Sequence, residues 1–173
     1  MSTPASERPS SADLRHELLQ SRPFRSDSQE ATIALMRTAS VVTRRMAHVV
    51  EPHGISLAQY NVLRILRGAG AAGLPTLAIR DRMIEEGSTV TRLVDKLEAS
   101  QLVQRTRTSS DRRQVLCVIT DAGLALLASL DPQIDAADQT IMSALEPAVV
   151  RELIDILARI RTGPSSLACS TGD

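Results

Sequence analysis

A chain of 173 residues, 43% of them hydrophobic, is long enough for one folded domain with an elaborated arm and too apolar to be disordered. Phe24 and Tyr60 are the only aromatic residues, so the core must be aliphatic, a mix that favours helices over a β-sandwich. The formal net charge of zero argues at first against nucleic acid, but the charges are unevenly spread. Between residues 60 and 113 ten basic residues face six acidic ones, net +4, whereas between 130 and 173 three face seven, net −4. Nineteen of the twenty basic residues are Arg, which suits phosphate and guanine forks, although GC-rich coding usage alone produces the same ratio. The opening "MSTPASERPSSADLRHELLQ" lacks the apolar stretch of a signal peptide. No run reaches the roughly eighteen apolar residues of a spanning helix, so a cytoplasmic protein with no membrane partner is expected.

Residues 1–27, rich in Ser, Pro and Arg, read as a flexible arm with at most a short helix over 13–20. A helix is predicted over 28–50 and is stopped by Pro52 and Gly54 in "EPHG". Ser56 is placed to cap a second helix carrying Tyr60, Leu63 and Leu66, which ends in "GAGAAG". A short helix follows Pro75 with Leu77, Ile79 and Met83, and "IEEGS" reads as a turn. Ser88 is a good cap for a helix running to about residue 100, and strands are predicted over 103–107 and 114–119. Thr120 caps a long helix with the heptad seam Leu127, Leu130, Ile134, Ala137 and Ile141, and Pro132 predicts a kink or break near Asp131. Pro147 opens a last helix with the apolar stripe Val150, Leu153, Ile154, Leu157 and Ile160, closed by Gly163 and Pro164.

The helix after Ser88 is the informative one. Val90, Leu93, Val94 and Leu97 share one face at helical spacing, which leaves Ser88, Arg92, Asp95, Lys96 and Ala99 opposite, with Thr89 and Thr91 on the flanks. A short helix, a turn with Gly87 and a helix of this kind form a helix-turn-helix pattern whose second helix fits a major groove. Many helical hairpins share that pattern, and the next segment makes it specific. In "SSDRRQVLCVITDAG" the hairpin tip carries Asp111, Arg112 and Arg113 where a structural turn would use Asn-Gly or Asp-Gly. A two-stranded ribbon with arginine at its tip is a wing, and a narrow minor groove attracts arginine.

The stretch "GSTVTRLVDKLEASQLVQRTRTSSDRRQVLCVITDAG" resembles the winged helix of the MarR family of bacterial transcription regulators. Thr91, Arg92, Asp95 and Glu98 match the family's recognition helix, Asp111 and Arg113 its wing D-x-R, and Val118, Ile119, Thr120 and Gly123 the exit into the next helix. "HGISLAQYNVLRIL" is similar to the family's second helix, and the likeness covers about residues 28–161. The resemblance implies an obligate homodimer on a pseudo-palindromic double-stranded DNA operator, with Arg113 in the minor groove and Asp111 steadying the wing. It also implies a small, often phenolic, effector between the dimer region and the DNA lobes, in a modest, mostly apolar pocket near Tyr60 framed by the helix over 28–50, the helix capped by Ser56 and the long helix capped by Thr120. Two residues depart from the pattern. Gln101 stands where glycine is common after the recognition helix, and Pro75 stands where a hydroxyl cap is usual.

The fold expected is mainly α with a minor β component, a winged helix-turn-helix lobe over 56–120 with a helical dimerisation region over 28–55 and 121–162 and a flexible tail over 163–173. The DNA-binding set is Ser88, Thr89, Thr91, Arg92, Lys96, Arg112 and Arg113, supported by Asp111. His48 and Tyr60 are the candidate ligand-binding residues. No cofactor is expected, because His16, His48 and His53 have no metal-ligand spacing with Cys117 or Cys169, and no enzyme motif is present. The function expected is a ligand-released repressor. Two alternatives stand beside it: a winged-helix assembly module without specific DNA binding, and a regulator under redox control through Cys117.

Overall fold

The computed structural model describes residues 11–84, 89–107 and 115–163. Among them, seven α-helices accompany a three-stranded sheet: α1 (Ser11–Glu17), α2 (Asp27–Val50), α3 (Leu57–Ala69), β1 (Leu74–Pro75), α4 (Thr76–Arg80), α5 (Val90–Ala99), β2 (Val103–Arg107), β3 (Val115–Ile119), α6 (Asp121–Met142) and α7 (Pro147–Thr162). The architecture is the mainly helical winged helix-turn-helix expected. The outer parts of the expected arm and tail, 1–10 and 164–173, lie outside the described residues, as does the "EEGS" portion of the expected turn. Glu17 at the end of α1 accepts a 2.7 Å hydrogen bond from Arg37 Nε and so ties α1 to α2.

The caps follow the sequence closely. The Ser26 hydroxyl accepts from the Gln29 N–H at the start of α2. Ser56 and Gln59 form a reciprocal capping box at α3, which satisfies two backbone donors at once. The Thr120 hydroxyl accepts from the Gly123 N–H and donates to the Gln101 carbonyl, so one side chain joins the start of α6 to the end of α5. The start of α5 differs from expectation. Thr89 occupies its N-cap position and makes no side-chain cap hydrogen bond there.

One strand was not legible in the sequence. β1 pairs antiparallel with β3, Leu74 opposite Cys117 and Pro75 opposite Leu116, so the sheet order is β1-β3-β2. Pro75, which also sits at the N-cap of α4 without capping it, is tolerated because β1 is an edge strand. Gly73 leads into this strand at φ +63°, and a Cβ there would stand 2.6 Å from the Cys117 carbonyl oxygen. β2 and β3 pair from Val103 opposite Ile119 to Arg107 opposite Val115.

The core is aliphatic, as the composition required. Val62, Leu63 and Leu66 of α3, Ile79 of α4, Val94 and Leu97 of α5, Val103 of β2, Cys117 of β3 and Leu127 and Leu130 of α6 are all fully buried or within about a percent of it. The heptad seam of α6 enters this core only through Leu127, Leu130 and Ile134.

Pro132 does not break α6. The helix runs through it, although proline has no N–H for the carbonyl four residues earlier. Buried Leu127, Leu130 and Ile134 hold both halves against the core, and Asp131 is clamped by Arg67 at 2.7 and 3.1 Å. The Gln133 side chain donates to the Ser129 carbonyl at 3.1 Å, next to the site of the missing bond. Tertiary anchoring outweighs the local preference.

α5 ends in a Schellman motif: the Leu102 N–H donates to the Leu97 carbonyl and the Gln101 N–H to the Glu98 carbonyl, both at 2.9 Å. Gln101 therefore takes the left-handed conformation, φ +59°, that its departure from glycine put in question. Gly123 approaches the Leu102 carbonyl so closely that a Cβ would press into that oxygen and into the Ile119 side chain. Gln101→Gly is expected to raise unfolding stability by about 1 kcal/mol. Gly123→Ala is expected to lower it by about 2 kcal/mol, because a backbone oxygen cannot step aside. Urea titrations with an unchanged slope would register both as shifts in midpoint.

Candidate nucleic-acid interface

α5 buries Val90, Val94 and Leu97 against α3 and α4, and this decides which residues remain outside. Thr89, Thr91, Arg92, Asp95 and Lys96 are exposed together on one side of the helix. Ser88 lies outside the described residues, as do Asp111, Arg112 and Arg113 of the wing tip. The structure thus brings together Thr89, Thr91, Arg92 and Lys96, and it places β2 and β3 so that their ends at Arg107 and Val115 lead into the tip.

An exposed face with Asp95 and Glu98 on it would be a poor partner for an anion. Arg105 of β2 removes that obstacle. Its guanidinium donates to Asp95 Oδ1 at 2.6 Å and to Glu98 Oε2 at 2.5 Å, and its backbone N–H donates to Glu98 Oε1 at 3.2 Å. The hydrogen bond that Arg105 donates to Asp95, with Glu98 adding to it, holds the Arg105 pKa above its ordinary value. Among the described residues neither Arg92 nor Lys96 is in an ion pair, so the cationic character of the face is carried by these two. The sequence counted Arg105 as one more basic residue of the lobe. Its signal was the pair of carboxylates at i and i+3 on an otherwise basic face, which needed a cation from another element.

A cleft of about 190 Å³ opens between α2, the first half of α3 and the segment after α4. Val42, Met46, Leu57 and Met83 give it apolar walls, and Tyr60 and Arg64 face it from successive turns of α3, with the guanidinium 5.9 Å from the ring centroid. The Asn61 side chain accepts a 3.0 Å hydrogen bond from the Ile84 N–H and so fixes the wall formed by Met83 and Ile84. Tyr60 lines the cleft. His48 does not: it is exposed on α2, 3.9 Å from Glu51. The sequence expectation placed the cavity between α2, α3 and α6. α6 is absent from its lining, because the inward side chains of that helix are consumed by the core.

Cys117 is fully buried in the central strand, with the Thr76 hydroxyl 3.9 Å from its sulfur. The thiol is shut away from solvent, and the guanidinium of Arg105, the residue opposite it on β2, is engaged by Asp95 and Glu98, which argues against redox control through this residue. Cys169 lies outside the described residues. Among the described residues no group of three or more His, Cys, Asp or Glu side chains could hold a metal ion, and no helix is long and apolar enough to cross a membrane.

Comparison with known proteins places this geometry. A model of the MarR family matches residues 55–115, which span α3 to the start of β3. The HTH-type transcriptional regulator TtmR of Methylorubrum extorquens is 31% identical over 147 residues, covering 84% of this chain and 72% of the relative. A crystal structure of a MarR transcription factor from Planctomyces limnophilus is 34% identical, with a TM-score of 0.60 over 78% of this chain and 98% of that one. The crystal structure of CouR from Rhodococcus jostii bound to p-coumaroyl-CoA is 28% identical, with a TM-score of 0.67 over 82% and 98%.

The cleft tyrosine gives a direct test of the geometry. Burial pushes the Tyr60 pKa above the ordinary 10.0, and Arg64 only partly opposes it. Because Tyr60 is the only tyrosine and tryptophan is absent, the phenolate absorbance change reports this one group. Its midpoint is expected above 10.0 in the native protein and near that value in denaturant. A raised folded-state pKa favours the fold while the phenol is protonated, so this contribution is complete below pH 10.0 and is lost as the pH climbs through the folded-state value.

Proposed function

Because this chain belongs to the MarR family of winged helix-turn-helix, DNA-binding transcription regulators, we propose that it is a repressor that grips a pseudo-palindromic operator as a homodimer. In this reading α2, α6 and α7 form the dimerisation region, and the lobe from residue 56 to 120 places α5 in a major groove and the wing in the adjacent minor groove. The family is one of regulators rather than enzymes. The observation that carries the proposal is the face of α5, where Arg105 engages both carboxylates and leaves Thr91, Arg92 and Lys96 for the DNA. An assembly module has no need of that arrangement. Ser88, Thr89, Arg112 and Arg113 complete the proposed contact set, with Asp111 steadying the wing.

Support for the dimer comes from α7. None of its residues is buried, and Ile154 and Ile160 are each 57% exposed on an apolar stripe that its own chain leaves uncovered. Replacing both with Glu is expected to leave the lobe folded while converting the dimer to a monomer in sedimentation equilibrium at micromolar concentration. Operator affinity should fall with it, since one half-site alone is held weakly.

We place the effector in the cleft beside Tyr60. At about 190 Å³ it is smaller than the roughly 300–1,000 Å³ of pockets that enclose drug-sized ligands, so it suits a small ring or acyl end. The ligand of CouR carries a phenolic acyl group, and aromatic acids are the first compounds to try. His48 is better assigned to the surface.

Gel shifts with the DNA upstream of the protein's own gene, across a salt series, test the proposal. Arg113→Ala is expected to weaken binding to most sequences and to flatten the log–log salt slope. The change should be about one unit for each arginine withdrawn from the phosphate field, and a dimer gives up two. Arg92→Ala is expected to relax the preference at one position per half-site by about 1–3 kcal/mol if that side chain reads a base. Parent-like affinity and salt slope in both variants would move the assembly module to first place.

A further inference from the structure

The winged lobe joins the long helices by two chain crossings, one through residues 51–56 and one at Thr120. Two crossings and the apolar packing of Leu127 and Leu130 into the core shared with α3 attach the lobe, but apolar contact has no preferred direction. A directional contact sets the angle more sharply, and the described residues contain one ion pair between the lobe and the long helices: Arg67 of α3 with Asp131 of α6. Both guanidinium nitrogens engage both carboxylate oxygens, at 2.7 and 3.1 Å, the fork-to-fork form that constrains direction as well as distance. Arg67 lies eleven residues beyond the Ser56 cap and Asp131 eleven beyond the Thr120 cap. The tie therefore stands about 16 Å along each helix from its crossing, where a slip of about 1 Å is a tilt of only about 4°.

The side chains are 37% and 42% exposed, so the pair adds little to global stability, and its chemistry is directional rather than cohesive. On the lobe side it is anchored to α3, the helix against which α5 packs. On the other side Asp131 directly precedes Pro132, where α6 lacks a backbone hydrogen bond and is locally least stiff. We propose that Arg67 and Asp131 are positioning residues that fix the tilt of each DNA-reading lobe against the long helices, and that they thereby set the half-site spacing the protein accepts. This rests on the reading of the protein as a dimer on a two-part operator.

Selection from a pool of random-sequence DNA duplexes by the full-length protein separates the two ideas. The parent should enrich two half-sites at a single spacing. Arg67→Leu, and independently Asp131→Asn, should enrich the same half-site sequence with a broadened spacing. Discrimination against sites one base pair longer or shorter should drop by about fivefold, the reach of an exposed pair. Dimerisation should persist, and the thermal midpoint should stay within about 4 °C of the parent. The charge-exchanged double variant Arg67→Asp with Asp131→Arg should narrow the spacing again, which a merely structural role would not do. A parent-like spacing in both single variants overturns the proposal, as does an altered half-site sequence. If the parent itself enriches no paired half-sites, the two-part operator falls first and the proposal with it.

Discussion

Two adjacent carbonyls hold the molecule together as a DNA-presenting device. The Gln101 carbonyl accepts from the Thr120 hydroxyl at 2.7 Å, and the Leu102 carbonyl accepts from the Thr120 N–H at 3.1 Å. Through them the end of α5, the end of β3 and the start of α6 meet within a few ångströms. Nothing larger than glycine fits at position 123, where the backbone of α6 lies against the Leu102 oxygen. The left-handed Gln101 is what turns the chain from helix to strand at this point, and Leu97 and Leu102 close the motif on its apolar side. Any movement of α6 is thus passed to α5 through hydrogen bonds and hard contact rather than through a loop.

With α5 fixed in this way, the question becomes which charges it shows. The chain as a whole is neutral, and a neutral chain can present a cationic face only by sequestering carboxylates or placing them elsewhere. It does both. Arg105 draws Asp95 and Glu98 to the β2 side of α5, while Asp135, Asp138, Glu146, Glu152 and Asp155 lie on α6, α7 and the turn between them. The same arginine stiffens the wing by tying β2 to the recognition helix, so one side chain contributes to both the charge and the shape of the interface.

Local chemistry made much of this legible in advance. Ser56, Thr120 and Pro147 start their helices where hydroxyl caps and an N1 proline belong, and the face Val90, Val94 and Leu97 is buried as its spacing required. What escaped was set by contacts remote in sequence. β1 is two residues long, too short for any periodicity, and exists because Gly73 lets the chain press against β3. Pro132 stays inside a continuous helix whose two halves are held by buried Leu127, Leu130 and Ile134, and no local pattern announces the bond that Asp131 beside it makes to Arg67, 64 residues away. The cleft moved from α6 to the segment after α4 for a similar reason: an apolar seam in the sequence cannot say whether its side chains will fill a core or border a space. The wing tip, the stretch most distinctive in the sequence, lies outside the described residues.

α6 changes role along its length. Up to Ile134 its inward residues belong to the core of their own chain, while Ala137, Ile141 and Met142 are only half-buried and lead into α7, which buries nothing. Asp131 and Pro132 stand near this change of role. The helix continues without a break through Pro132, and the Arg67 clamp holds it close to where the core of its own chain ends. Under the proposed dimer a second core belongs partly to the other chain. The angle at which each lobe meets the DNA is then decided near this boundary, about 16 Å along α6 from Thr120. Specificity for a two-part operator would accordingly depend on residues that touch no base as well as on those that do.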